Sequence, residues 1–235
     1  MSIPQPPWQR SRPQREVRTP LTRDRIVDAA LELLVKDGYE AVSMRKVAQA
    51  LGTGPASLYA HVANKKELDQ LLVDRAAREM KVPDADPDRW QEQLKEAMRS
   101  MLTVMRAYPG VARAAMGQVP LGESAMLGTE KMMAILKAGR VPDQATAWAV
   151  DLIALYVVAI AFEETVQGAS EWTAKDVDEF VAGLRGYFAS LPADRFPLTV
   201  ALATALTQGA GDDRFEFGIQ VIVAGLASFV PAADK

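Results

Sequence analysis

The 235-residue sequence has no cysteine and a single histidine, His61. Without thiols there is no disulfide, no thiolate nucleophile and no zinc–thiolate site, and a reducing cytoplasm is the compartment expected. With one imidazole, no Ser-His-Asp set assembles except on the face that carries His61. No Asp/Glu/His cluster has metal-ligand spacing, so neither a metal nor another cofactor is expected. Gly52-Thr-Gly-Pro-Ala-Ser follows a helix rather than a strand and lacks a third glycine, and Gln208-Gly-Ala-Gly-Asp-Asp has no Walker lysine, so phosphate loops are not expected either. The N-terminus has no apolar h-region of a secretory signal. No run reaches the roughly 18 uninterrupted apolar residues of a membrane span. The nearest, Ala147 to Phe162, is broken by Asp151, and no membrane partner is expected. There is no long β alternation and no internal repeat. These absences point away from an enzyme.

What is present is helical. Apolar residues make up 49% of the chain, enough for a packed core. Thr22 suits the N-cap of a first helix, Ile26, Ala29, Ala30, Leu33 and Leu34 form a 3.6-residue stripe, and Gly38 ends it. Further helices are predicted from about Asn64 to Met80, 88 to 108, 111 to 116, 123 to 138, 143 to 168, 173 to 190, 198 to 206 and 212 to 229. The fold class is all-α, with a three-helix head followed by a larger helical body. The divisions expected are an arm at 1–20, a head at 21–67 and a body at 68–235.

Charge divides the same way. Residues 1–66 carry a net +5 and residues 67–235 a net −8. A basic head on an acidic body implies that only the head meets a polyanion. The first 20 residues hold five prolines and Arg10, Arg12, Arg15 and Arg18. They read as a solvated tail or as an arm that lays arginines into a minor groove.

Residues 43–65 organise the chain. Ser43 caps a helix whose Met44, Val47, Ala48 and Leu51 share one face. Gly52, Thr53 and Gly54 make a turn, and Pro55 suits the first turn of the next helix. Leu58 and Val62 point inward, leaving Ala56, Ser57, Ala60 and His61 outward and Tyr59 at the border. A short helix that shows only small and hydrogen-bonding groups fits a DNA major groove. Asn64 and Glu67 have capping-box spacing, and Lys65-Lys66 sits where a phosphate or plain solvent would be met.

The stretch Leu51 to Lys65, LGTGPASLYAHVANK, resembles the DNA-binding motif of the TetR family of bacterial transcription regulators. The resemblance extends back through Ile26 to Leu34 and on through Lys66-Glu-Leu. Phe215-Glu-Phe-Gly-Ile with Gly225-Leu is similar to the last helix of the tetracycline-repressor subgroup. The resemblance implies DNA contacts at Ser43, Arg45, Pro55, Ala56, Ser57, Tyr59, His61 and Lys65. Arg45 suits a guanine edge, and Pro55 and Ala56 suit a thymine methyl. The alternative for Tyr59 is half-buried packing with its hydroxyl in water.

For the body, the resemblance implies a ligand cavity and a homodimer that reads a palindromic double-stranded DNA operator. Pairing is expected through 143–168 and 212–229, with Ile219, Ile222, Val223 and Leu226 as the stripe and Gly218 and Gly225 allowing close approach. Seven methionines from Met98 to Met133 suit either a plastic cavity lining or core filler. Met101, Met105 and Met116, with Trp148, Asp151, Leu155 and Phe162 of the long apolar helix, are the ligand-site candidates. Asp151 reads as buried with a partner, as a ligand anchor, or as exposed. Arg113-Ala-Ala-Met-Gly lacks the histidine with which tetracycline repressors hold a magnesium–drug chelate, so a small, mainly apolar effector is expected. The function expected is a ligand-released repressor. The alternative is a metabolite carrier with a vestigial head.

Overall fold

The computed structural model describes residues 20–168, 173–209 and 211–232. Among them are eleven α-helices, two 3₁₀ turns and no strand. The all-α expectation therefore holds.

The head begins with α1 (Arg23–Asp37), which starts where the Thr22 hydroxyl accepts from the Arg25 N–H at 3.3 Å. Gly38 closes it at φ +79°, where a side chain would be strained. After the 3₁₀ turn Tyr39–Ala41, α2 (Met44–Ala50) is capped by Ser43, whose Oγ accepts from the Lys46 N–H. Gly52, at φ +63°, turns the chain into α3 (Pro55–Tyr59). Then α4 (Lys65–Ala77) starts with Asn64 Oδ1 accepting from the Glu67 N–H at 2.9 Å. Glu67 reaches back to the Ala63 N–H at 2.6 Å, one residue short of the usual capping-box target.

The head core does not stop at residue 67. Ile26, Ala30, Leu34, Val47, Leu58 and Val62 pack with Leu68, Leu72 and Ala76 of α4, and also with Val104 and Val111. The helix that leaves the head is therefore built into both parts. It ends in tight turns through Met80 rather than as helix to that residue.

The body contains α5 (Trp90–Ala107), α6 (Val111–Ala115), α7 (Glu123–Ala138), α8 (Asp143–Gly168), α9 (Ala174–Ser190), α10 (Pro197–Ala201) and α11 (Gly211–Ala227). The short helix predicted over 198–206 is split into α10 and a 3₁₀ turn at Ala205–Thr207. Along α8, Ala149, Ile153, Val157 and Ala161 recur every four residues and are buried against α5, α7 and α11. Ile153 and Val157 each contribute about 1.5–3 kcal/mol by leaving water, and the two alanines about 0.8 kcal/mol each. Arg99 holds Glu216 with two bonds at 2.8 and 2.9 Å, and Arg106 bridges Glu164 and Asp212. Arg214 pairs with Glu163. These partly exposed pairs set the relative register of α5, α8 and α11 more than they stabilise it.

By length and composition α8 is long and apolar enough to cross a membrane, with mean hydropathy 2.0 over an 18-residue stretch within 143–166. Single polar residues such as Asp151 interrupt its apolar run, while the apolar residues around them keep the average high. Its two apolar sides have different surroundings. One lies in the body core, and the other carries exposed Trp148, Leu152 and Leu155.

Candidate nucleic-acid interface and body cavity

On the head, Leu58 and Val62 are fully buried and fix the roll of α3. The opposite side of α3 and the two residues after it leave Pro55, Ala56, Ser57, Tyr59, Ala60 and His61 exposed. Tyr59 is 54% exposed, so the half-buried reading of it does not apply. Ser43 and Arg45 are exposed at the start of α2. The side chains of Arg45, Lys46, His61 and Lys66 make no hydrogen bond or ion pair among the described residues. In contrast Arg89, Lys95, Arg99, Arg106, Lys131 and Arg214 of the body are all bridged to carboxylates. On this face of the head a polyanion meets unpaired cations. Arg10, Arg12, Arg15 and Arg18 lie outside the described residues.

Lys65 differs from expectation. It is only partly exposed and pairs with Asp69, one turn along α4, while its ammonium lies 4.1 Å from the centre of the Tyr39 ring. Asp69 is buried, and its other oxygen accepts from the Tyr39 hydroxyl at 2.9 Å. Burial first, and then this bond, pushes the Tyr39 phenol up to about 12. On the other side of Tyr39, Arg113 of α6 lies 5.5 Å from the ring centre and bonds Glu40 at 2.8 Å. The i,i+4 geometry of α4 thus draws Lys65 onto Asp69 and Tyr39, the Tyr39 ring joins head to body through Arg113, and Lys66 is left unpaired at that helix start.

Behind this joint the body encloses a cavity of about 230 Å³. Gln70, Val73 and Ala77 of α4 form one wall, Met101 and Met105 of α5 a second, and Val111 and Ala115 of α6 with Met116 a third. Ala125, Thr129 and Met132 of α7 and Val150, Asp151 and Leu155 of α8 complete it. Four methionines of the 98–133 group line it, whereas Met98 is sealed in the body core. Among the expected ligand residues, Met101, Met105, Met116, Asp151 and Leu155 come together here. Trp148 and Phe162 do not. Trp148 is 70% exposed on the outer side of α8, and Phe162 packs against the body core. The twist of a 26-residue helix carries its two ends onto different surroundings. Asp151 is exposed at the rim and unpaired among the described residues. Gln70 and Gln118 were not visible as candidates, because only the closure of α4 and the α6–α7 link onto α5 brings them to one space.

The expected pairing stripe also moves. Ile219, Val223 and Leu226 are buried inside their own protomer and Ile222 is half-buried. A Cβ on Gly218 would collide with the Tyr156 side chain, so that glycine serves contact between α11 and α8 of one chain. The free side of α11 is instead Phe217, Val221, Ala224 and Gly225, beside the free side of α8 with Trp148, Leu152, Leu155 and Ala159. Nothing lies within 4 Å of a Cβ on Gly225. Both stripes have helical period, and periodicity alone cannot say which faces inward.

Residues 26–70 match the family described as bacterial regulatory proteins, tetR family, and residues 82–230 match the tetracyclin repressor-like, C-terminal domain. The HTH-type transcriptional repressor DrrR1 of Streptomyces coeruleorubidus is 33% identical over 222 residues, which cover 93% of this chain and 82% of that one. The tetracycline repressor protein class A from transposon 1721 of Escherichia coli is 31% identical over 212 residues, covering 89% and 92%. Among solved structures, the TetR family protein ActR of Streptomyces coelicolor in complex with actinorhodin is 42% identical with a TM-score of 0.83, covering 92% of this chain and 100% of that one.

Proposed function

This chain belongs to the TetR family of ligand-responsive DNA-binding regulators, and from that premise we propose that it is a cytoplasmic homodimeric repressor released from a palindromic operator by a small, mainly apolar effector. The observation that carries the proposal is the double engagement of α4. Its Leu68 and Leu72 lie in the head core, while its Gln70, Val73 and Ala77 line the cavity. An occupant of the cavity presses on the helix that holds the reading head.

Arg45 and His61 read base edges or phosphates, Ser57 and Tyr59 add hydrogen bonds, and Pro55 and Ala56 meet thymine methyls. Ser43 and Lys66 approach the backbone, and Lys65 joins them only by leaving Asp69. The arginines of residues 10–18 add a second, salt-sensitive contact. Two copies pair through the free sides of α8 and α11, which spaces two heads for two half-sites. A ligand that binds the cavity better in one spacing than in the other shifts the population toward that spacing. ActR binds actinorhodin, and a comparable small organic molecule is the effector class here. The carrier alternative is not favoured, because relatives matched over most of their length are transcriptional regulators.

Gel shifts with fragments of the gene's own upstream region test this. The expected result is a palindrome-specific complex that persists at moderate salt. Binding that ignores sequence and disappears at that salt would overturn it.

A further inference from the structure

We propose that Asp69 withholds Lys65 from the operator: the pair stays closed on DNA, and each head grips the phosphate backbone with one cation fewer than the start of α4 carries. The inference rests on the operator reading of the head.

Lys65 and Lys66 open α4, where unsatisfied N–H groups and two ammonium groups favour an anion. Lys66 is exposed and makes no hydrogen bond or ion pair among the described residues. Lys65 is held twice. Its ammonium donates to Asp69 Oδ1, and it lies 4.1 Å from the centre of the Tyr39 ring. Asp69 is itself fixed, because its side chain is only 6% exposed and its Oδ2 accepts from the Tyr39 hydroxyl at 2.9 Å. The other acid of this turn, Glu67, pairs with Arg23 and accepts from the Ala63 N–H, so it does not compete for Lys65. Glu40, beside Tyr39, is taken up by Arg113.

Magnitudes decide whether Lys65 leaves. Taking one partner from a buried ion pair strands the other, a loss of about a hundredfold or more in an equilibrium constant. One phosphate contact at about 0.1 M salt returns roughly eightfold. Lys65 therefore stays. While it stays, its charge is cancelled by the carboxylate beside it, and a phosphate that approaches one approaches both. The attraction given up is sequence-independent. The closed pair thus weakens binding to operator and random duplex alike, and leaves base reading to residues such as Arg45 and His61.

The test is fluorescence anisotropy of the full-length protein on the upstream fragment of the gel shift and on a random duplex of equal length, each across a salt series. Asp69→Asn keeps an oxygen for the Tyr39 hydroxyl and removes the charge that holds Lys65. The expected result is that Asp69→Asn steepens the dependence of log K on log salt by about 0.9 per head on both duplexes. It also binds both at least about fivefold more tightly at about 0.1 M salt. Lys65→Gln/Asp69→Asn then returns both slopes to those of the unsubstituted protein. An unchanged slope in Asp69→Asn overturns the proposal. So does a slope in the double variant shallower than that of the unsubstituted protein, which would mean that Lys65 had been gripping phosphate. Each comparison decides by itself, so loss of fold in one variant leaves the other. Equal affinity of the unsubstituted protein for the two duplexes overturns the operator reading, while the slopes on the random duplex still judge Asp69. Failure to bind either duplex overturns both.

Discussion

Asp74 of α4 caps α7. Its Oδ1 accepts from the Ser124 N–H at 2.8 Å and from the Ala125 N–H at 3.1 Å. The residue at the cap position itself is Gly122, which has no side chain to do this, and a Cβ there would collide with the Asp74 carboxylate. One carboxylate thus ties the helix that leaves the head to a wall of the cavity. Asp74→Ala is expected to cost about 1–2 kcal/mol in urea unfolding, and Asp74→Asn about half of that. Gly122→Ala should match Asp74→Ala, because it displaces the same cap. An unchanged midpoint in all three would remove the tie.

Arg45→Ala and His61→Ala are each expected to weaken operator binding by about 1–3 kcal/mol, roughly 5- to 150-fold. Their side chains are exposed and make no hydrogen bond or ion pair among the described residues, so thermal unfolding of the free protein should not move. Lys36→Ala, at the end of α1, is the comparison that leaves affinity unchanged. Equal affinity in Arg45→Ala and the unsubstituted protein would take Arg45 out of the interface.

The two sides of α11 should respond differently. Phe217→Asp places a charge on a residue 72% exposed in the protomer, and is expected to give a folded monomer in sedimentation. Ile219→Ala empties a fully buried site and is expected to lose about 2–4 kcal/mol of stability. A dimeric Phe217→Asp protein would show that pairing uses another surface.

Bonds from Arg99 hold the carboxyls of Glu92 and Glu216 below their ordinary value of 4.5. A depressed carboxyl adds stability that is complete above 4.5 and is lost as pH falls through the lowered value. Arg99→Gln is therefore expected to flatten the fall of melting temperature between about pH 5 and pH 3. The effect is small, since all three side chains are 40–48% exposed. A profile parallel to that of the unsubstituted protein would contradict it.

The head was legible in the sequence because its information is local. Thr22, Ser43 and Asn64 cap helices a few residues away, and Gly38 and Gly52 take positive φ where the pattern required it. The pairing of Lys65 with Asp69 and Tyr39 was not legible. Asp69 lies within the same helix, but burial, which the pattern does not give, is what makes it hold that charge.

The sequence by itself determined the helical class, the bounds of most helices, the basic head and the apolar, methionine-rich body. Each follows from spacing or composition within one segment. Only the tertiary structure decided which side of α8 and α11 is inward. Both helices are apolar nearly all round, so the choice falls to packing against α5 and α7. It likewise decided that Gln70, Gln118 and Asp151 share one cavity, because they come from segments that meet only when α4 and the α6–α7 link close over α5.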